Sequence, residues 1–224
     1  MTKKQKASSR SFQPPKALTL KQADLIQAIN SKEMIITTGP AGVGKSYLTA
    51  AYAAYFYHLG KVDRIILARP NIAIGKSIGF LPGFMEEKMI PWAIPILSTL
   101  EDYLSVGEVE TMMKNNKLEI VPFEYIRGRS WDNSFIILDE AQNSTVAEMK
   151  AFVTRIGEGS TTIINGDETQ TDIKERNGLS YLTHILGNDE NHELYNKVGS
   201  ISFTSKDIVR SGLCQLWVQA FERE

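Results

Sequence analysis

The sequence has little of what would place it outside the ordinary globular class. Cysteine occurs once, at Cys214, so no intrachain disulfide can form and the thiol reads as a small buried hydrophobe. The three histidines, His58, His184 and His192, are scattered without zinc-ligand spacing. No apolar run approaches the ~18 residues of a membrane span, and the N-terminus lacks the apolar core of a signal peptide. A cytoplasmic protein without membrane association is therefore expected. An excess of one charge is missing too. Lys and Arg number 25 against 26 Asp and Glu, a net charge of −1, so contact with nucleic acid would need a local patch. What is there, 42% hydrophobic and 23% charged residues over 224 positions, suits one globular domain. Residues 1–17 are the exception. They hold Lys3, Lys4, Lys6, Arg10 and Lys16 without an acid, plus Pro14-Pro15, and read as a disordered basic tail before a single domain at 18–224. Such a tail is either an electrostatic arm or a solubilising terminus.

The densest chemical signal is Gly39-Pro40-Ala41-Gly42-Val43-Gly44-Lys45-Ser46, which fits G-x-x-x-x-G-K-[ST] at every fixed position. The apolar run 34–38 before it predicts a strand, and the Ala-rich run from Tyr47 onward predicts a helix. In that setting the glycines let backbone N–H groups turn toward a phosphate, and the new helix adds its positive end. Lys45 is placed to reach the β- and γ-phosphates, and Ser46 to offer its hydroxyl to Mg²⁺.

The chain alternates strand and helix patterns throughout, which predicts an α/β fold with a mostly parallel sheet of about six strands flanked by helices. A helix is expected over 18–30, carrying Gln22, either an ordinary surface glutamine or an amide that donates to and accepts from an adenine edge. A buried strand follows at 64–69, ending in Arg69. The glycine-rich loop after it holds Lys76, and both cations are candidates for phosphate or nucleic-acid contact or for an ordinary crossover. The pattern at 86–103 is helical but interrupted by Pro91 and Pro95, so a kinked or split helix is expected. Arg127 and Arg129 flank Gly128 in a loop that fits an oxyanion or simply faces solvent. The strand at 135–138 ends in Asp139 and Glu140. Downstream of a P-loop, such a pair reads as a Mg²⁺ holder and a group that polarises the attacking water. Thr145 to Glu148 forms a capping box opening a helix. The strand at 160–165 leads to a polar loop with Gln170 placed to sense the γ-phosphate. Residues 187–196 read as a surface loop and 200–204 as the last strand. Lys206 to Arg210 then reads as the entry to a terminal helix with Leu213, Leu216, Trp217, Ala220 and Phe221 on one face. Arg210 there is either a paired surface charge or a phosphate-sensing arginine.

Taken as an ordered set, Gln22, GPAGVGKS at 39–46, RPNIAIGKSIGFLPG at 69–83, YIRGRS at 125–130, FIILDEAQNS at 135–144, NGDETQTDI at 165–173 and DIVR at 207–210 resemble the PhoH family of P-loop ATPases. More broadly they resemble the first motor domain of superfamily 1 helicases. The resemblance covers roughly 18–212 and implies a RecA-like fold, ATP and Mg²⁺ binding, ATP hydrolysis and a link to RNA or single-stranded nucleic acid. It implies adenine recognition by Gln22, metal holding by Asp139, a base at Glu140, a γ-phosphate sensor at Gln170 and a charge-stabilising Arg210. The sequence departs from the family pattern in Ser46, where threonine is frequent, and in Ser211-Gly212, where histidine often follows the arginine. A single motor domain has no second domain to supply arginines. That favours a homo-oligomer, by resemblance a hexameric ring, in which neighbours complete each site. The alternative is an ATP-dependent switch or assembly protein with a protein partner; a small-molecule kinase is disfavoured because Glu140 suits the activation of water.

Overall fold

In the computed structural model, residues 12–70, 85–173, 176–187 and 192–221 are described. The chain runs α1 (Leu20–Ser31), β1 (Met34–Thr38), α2 (Lys45–His58), β2 (Arg64–Arg69), α3 (Met85–Leu104), α4 (Val106–Lys114) and β3 (Leu118–Pro122). It continues through β4 (Ser134–Leu138), α5 (Val146–Val153), β5 (Thr161–Gly166), α6 (Gly178–Gly187), α7 (His192–Lys197), β6 (Val198–Ser202) and α8 (Gly212–Phe221).

The strands form one sheet in the order β3-β2-β4-β5-β1-β6, with every pairing parallel. Each strand needs a crossover to reach its neighbour, and those crossovers cover both faces. This explains why the strands read as continuous apolar runs. Successive residues such as Ile35 and Ile36, or Ile136 and Ile137, enter opposite cores. One core packs the sheet against Leu25, Leu48, Phe56, Ile96 and Leu100, from α1, α2 and α3. The other packs it against Met149 and Phe152 of α5 and Leu179 of α6. The expected α/β architecture with about six mostly parallel strands is what the chain adopts.

Three local expectations change. Pro91 and Pro95 do not split α3, which runs through both. Each proline withholds one ladder N–H, so the helix runs on with two backbone hydrogen bonds fewer, held by the burial of Ala93, Ile96 and Leu100 on its core side. The expected loop at 187–196 contains α7. Upstream of α1, the Phe12 ring stacks on His58 at 4.0 Å and Tyr52 Oη donates to the Pro15 carbonyl at 3.5 Å. The terminal helix starts only at Gly212, and Leu213, Leu216 and Trp217 on it are 58–67% exposed. Lys76 lies outside the described residues. Among the described residues, no helix is long and apolar enough to cross a membrane.

Candidate nucleotide-binding site

Parallel strands all end at the same edge, so β1, β2, β4 and β5 deliver their following loops to one place. The loop after β1 carries the phosphate-binding motif. Gly39, Gly42 and Gly44 have φ of 132°, 90° and 89°, a region that L side chains rarely adopt. Space is a second constraint at Gly39: a Cβ there would sit 2.5 Å from the Phe203 carbonyl oxygen. The N-cap of α2 is Gly44, which has no side chain to spend on the first N–H groups, so they remain available to an anion.

Lys45 opens α2 and turns back over the loop, donating from Nζ to the carbonyls of Gly39 and Pro40. Burial lowers its pKa, while Asp167, Asp139 and Glu140 pull the other way. All three carboxylates line the same cleft as Lys45. Ser46 Oγ donates to Asp139 Oδ1 at 3.1 Å, so the hydroxyl and the acid meet although β5 lies between their strands. The pKa of Asp139 is raised, chiefly by burial and then by the neighbouring Glu140 charge. A hydroxyl beside a carboxylate is a hard-oxygen pair of the kind that holds Mg²⁺ together with phosphate and water. The donor chemistry fits.

Glu140 has φ 56°, left-handed for a non-glycine residue, and Gln142 Nε2 donates to its Oε2 at 2.7 Å. Beyond β5, the buried Asp167 accepts from Thr169 N–H at 3.0 Å and from Gln170 Nε2 at 2.9 Å. Gln170 itself is exposed.

On the other side, Gln22 is 2% exposed and spans two segments. Its Oε1 accepts from Leu18 N–H at 2.7 Å and its Nε2 donates to the Val43 carbonyl at 2.9 Å. One N–H and one lone pair of the amide are left over. Arg210 does not belong to a helix, and Asp207 does not pair with it. Asp207 caps the short 3₁₀ turn Ser205–Asp207, accepting from Thr204 N–H at 2.9 Å. The extended residues after that turn lie on the P-loop: Val209 N–H donates to the Gly42 carbonyl at 3.1 Å, and a Cβ on Gly42 would come within 3.1 Å of the Arg210 side chain.

These groups line one cleft of about 520 Å³. Gln22, Ala41, Gly42, Gly44, Lys45, Ser46, Tyr47, Asp139, Glu140, Gln170 and Arg210 all contribute to its walls, as does Arg69. Arg69 sits with its guanidinium 5.6 Å from the Trp92 ring. Arg127 and Arg129 are not on the walls. Arg129 pairs with Glu119, which Arg64 also approaches at 3.5 Å, and Arg127 is exposed. Sequence reasoning missed Lys16, Leu18, Trp92 and Asp167 as lining residues. The aspartate alone carried a signal, as the acid of the Gly166-Asp167 pair.

A parallel sheet with a P-loop at its carboxyl edge, a strand-end aspartate against the P-loop serine and a lysine folded into the loop define a P-loop NTPase. Comparisons with known proteins narrow this. Residues 15–222 match the family PhoH, described as PhoH-like protein. Protein PhoH of Escherichia coli (strain K12) is 41% identical over 215 residues, 95% of this chain and 60% of that protein. The PhoH-like protein of Bacillus subtilis (strain 168) is 36% identical over 208 residues, 92% of this chain and 63% of that one. The chain belongs to the PhoH-like family, and it spans 60–63% of the length of these two relatives. Among solved structures, the large terminase from a thermophilic bacteriophage superposes with a TM-score of 0.50 at 11% identity, covering 91% of this chain and 50% of that one. That likeness is one of fold.

Proposed function

We propose that this protein binds ATP with Mg²⁺ and hydrolyses it, and that it works as an oligomeric, helicase-like motor on RNA or single-stranded nucleic acid. The observation that carries the first part is the convergence of Lys45, Ser46, Asp139, Glu140, Gln170 and Arg210 on one cleft. Lys45 exchanges the carbonyls of Gly39 and Pro40 for phosphate oxygens, a stronger, charge-assisted pairing. Ser46 and Asp139 hold Mg²⁺, which when bound neutralises charge on the phosphates. Glu140 takes a proton from the attacking water, and Gln170 reports on the γ-phosphate. Gln22, Leu18 and Tyr47 border the base, with the remaining amide positions of Gln22 available to adenine.

Arg69 and Arg210 reach the cleft from the same chain, so a single protomer carries cationic groups of the kind that sequence reasoning sought from a neighbour. Slow turnover by the monomer is therefore expected, with a homo-oligomer, a hexameric ring by family likeness, accelerating it. The second reading, an ATP-dependent switch with a protein partner, is favoured by one observation. Arg129, one of the two loop arginines read as phosphate contacts, is already paired with Glu119.

ATP turnover measured with and without RNA or single-stranded DNA, over a range of salt, separates the two. A motor on nucleic acid shows stimulation that declines as salt rises. Unchanged turnover across several polymers leaves the switch. Glu140→Gln should retain ATP binding and lose hydrolysis; persistent turnover in that variant removes Glu140 from its role.

A further inference from the structure

Gln142 lies on the 3₁₀ turn Ala141–Asn143 just beyond β4 and is 0% exposed. A buried primary amide is costly unless its hydrogen-bonding positions are met. Here they are met by functional groups. Its Nε2 donates to Glu140 Oε2 at 2.7 Å and to the Gln170 carbonyl at 3.4 Å, and its Oε1 accepts from Asp167 N–H at 3.0 Å. Its main-chain carbonyl accepts from Thr171 Oγ1 at 3.1 Å. The reversed amide would set an oxygen against a carboxylate and a carbonyl, and an NH₂ against an N–H, so the network itself fixes the orientation.

Two further features bear on this. Glu140 holds a left-handed backbone without being glycine, a strained conformation that persists only where its surroundings hold it. Gly166 gives Gln142 its room: a Cβ there would lie 3.1 Å from Gln142 Oε1 and 2.4 Å from Leu179 Cδ2.

We infer that Gln142 is a positioning residue for hydrolysis, aiming the Glu140 carboxylate and tying that aim to the loop at 167–171 that carries Gln170. The inference rests on the reading of Glu140 as the group that activates water. A glutamine that merely filled the core would affect folding and nucleotide binding together. A positioning glutamine affects the chemical step.

The test is Gln142→Met, which keeps the side chain's length and removes its hydrogen bonds. ATP turnover, KM, binding of a non-hydrolysable ATP analogue and thermal melting are measured on the same preparation. The expected result is a fall in kcat of about tenfold or more, with KM and analogue affinity within about threefold of the parent. A kcat within about twofold of the parent, or a loss matched by weaker analogue binding, overturns the inference. If Gln142→Met does not fold, Gln142→Asn, which keeps the amide but withdraws it by one methylene, is read by the same criteria. Turnover that survives Glu140→Gln alone would instead overturn the role of Glu140, a separate result from failure at Gln142.

Discussion

Lys45 and Asp139 both carry ionisable groups into partly or wholly buried surroundings at the cleft. The Lys45 ammonium donates to the carbonyls of Gly39 and Pro40, where burial lowers its pKa against the pull of Asp167, Asp139 and Glu140. Lys45→Ala removes the cation placed inside the loop and should weaken ATP binding by about two orders of magnitude, measured by titration calorimetry. At Asp139, burial and the neighbouring Glu140 both oppose ionisation. A buried acid with a raised pKa weakens the fold once ionised, so neutralising it should help. Asp139→Asn is expected to raise the melting temperature in chelator-containing buffer by about 2–4 °C, one kcal/mol or so for a chain of this size. The same variant should lose Mg²⁺-dependent turnover. A lower melting point would show that the Ser46–Asp139 hydrogen bond outweighs the cost of the charge. Gly39→Ala combines a φ of 132° with a backbone clash against Phe203, and should cost about 1–3 kcal/mol in denaturant unfolding.

At the scale of elements, the site is held by short connections as much as by helices and strands. The 3₁₀ turn Ser205–Asp207, closed by the reciprocal Thr204–Asp207 cap, sets the direction in which the next residues run onto the P-loop. Asp207→Ala should cost about 0.5–2 kcal/mol of stability and release Arg210 from the cleft, lowering kcat more than analogue affinity. Equal losses in both would show that the cap serves only the fold. These connections mark where sequence reading succeeds and stops. The strands were legible because burial on two faces demands unbroken runs such as Ile65-Ile66-Leu67, and the P-loop because three positive-φ glycines leave a fixed spacing. The start of α8 was not, since a helical pattern through 206–210 is indistinguishable from a capped turn followed by extended chain. Nor was Gln142: one buried amide joining Glu140 to the Gln170 loop is long-range geometry, and nothing in the string Ala141-Gln142-Asn143 announces it.

For the whole molecule, the family places the chain among P-loop NTPases, while the presence of Arg69 and Arg210 of the same chain at the site bears on how it assembles. Sedimentation with and without ATP and Mg²⁺, alongside turnover at each protein concentration, tests this. Measurable turnover at concentrations where only monomer is present is expected from the two arginines in cis, with a steeper rise wherever larger species form. A complete absence of monomer turnover would return the decisive arginine to a neighbour. The all-parallel sheet has one more consequence, in time rather than space. Thr38, at the end of β1, meets Ser202 of β6 across 164 residues, and the cleft is walled by positions from Lys16 to Arg210. At a synthesis rate of about 5–20 residues per second, the P-loop leaves the ribosome on the order of ten seconds before its last wall exists. Until then β1 has no partner along one edge, and Ile35 and Ile36 have no finished core to enter. During that interval the cleft is unfinished, and the open edge of β1 is exposed to wrong pairing.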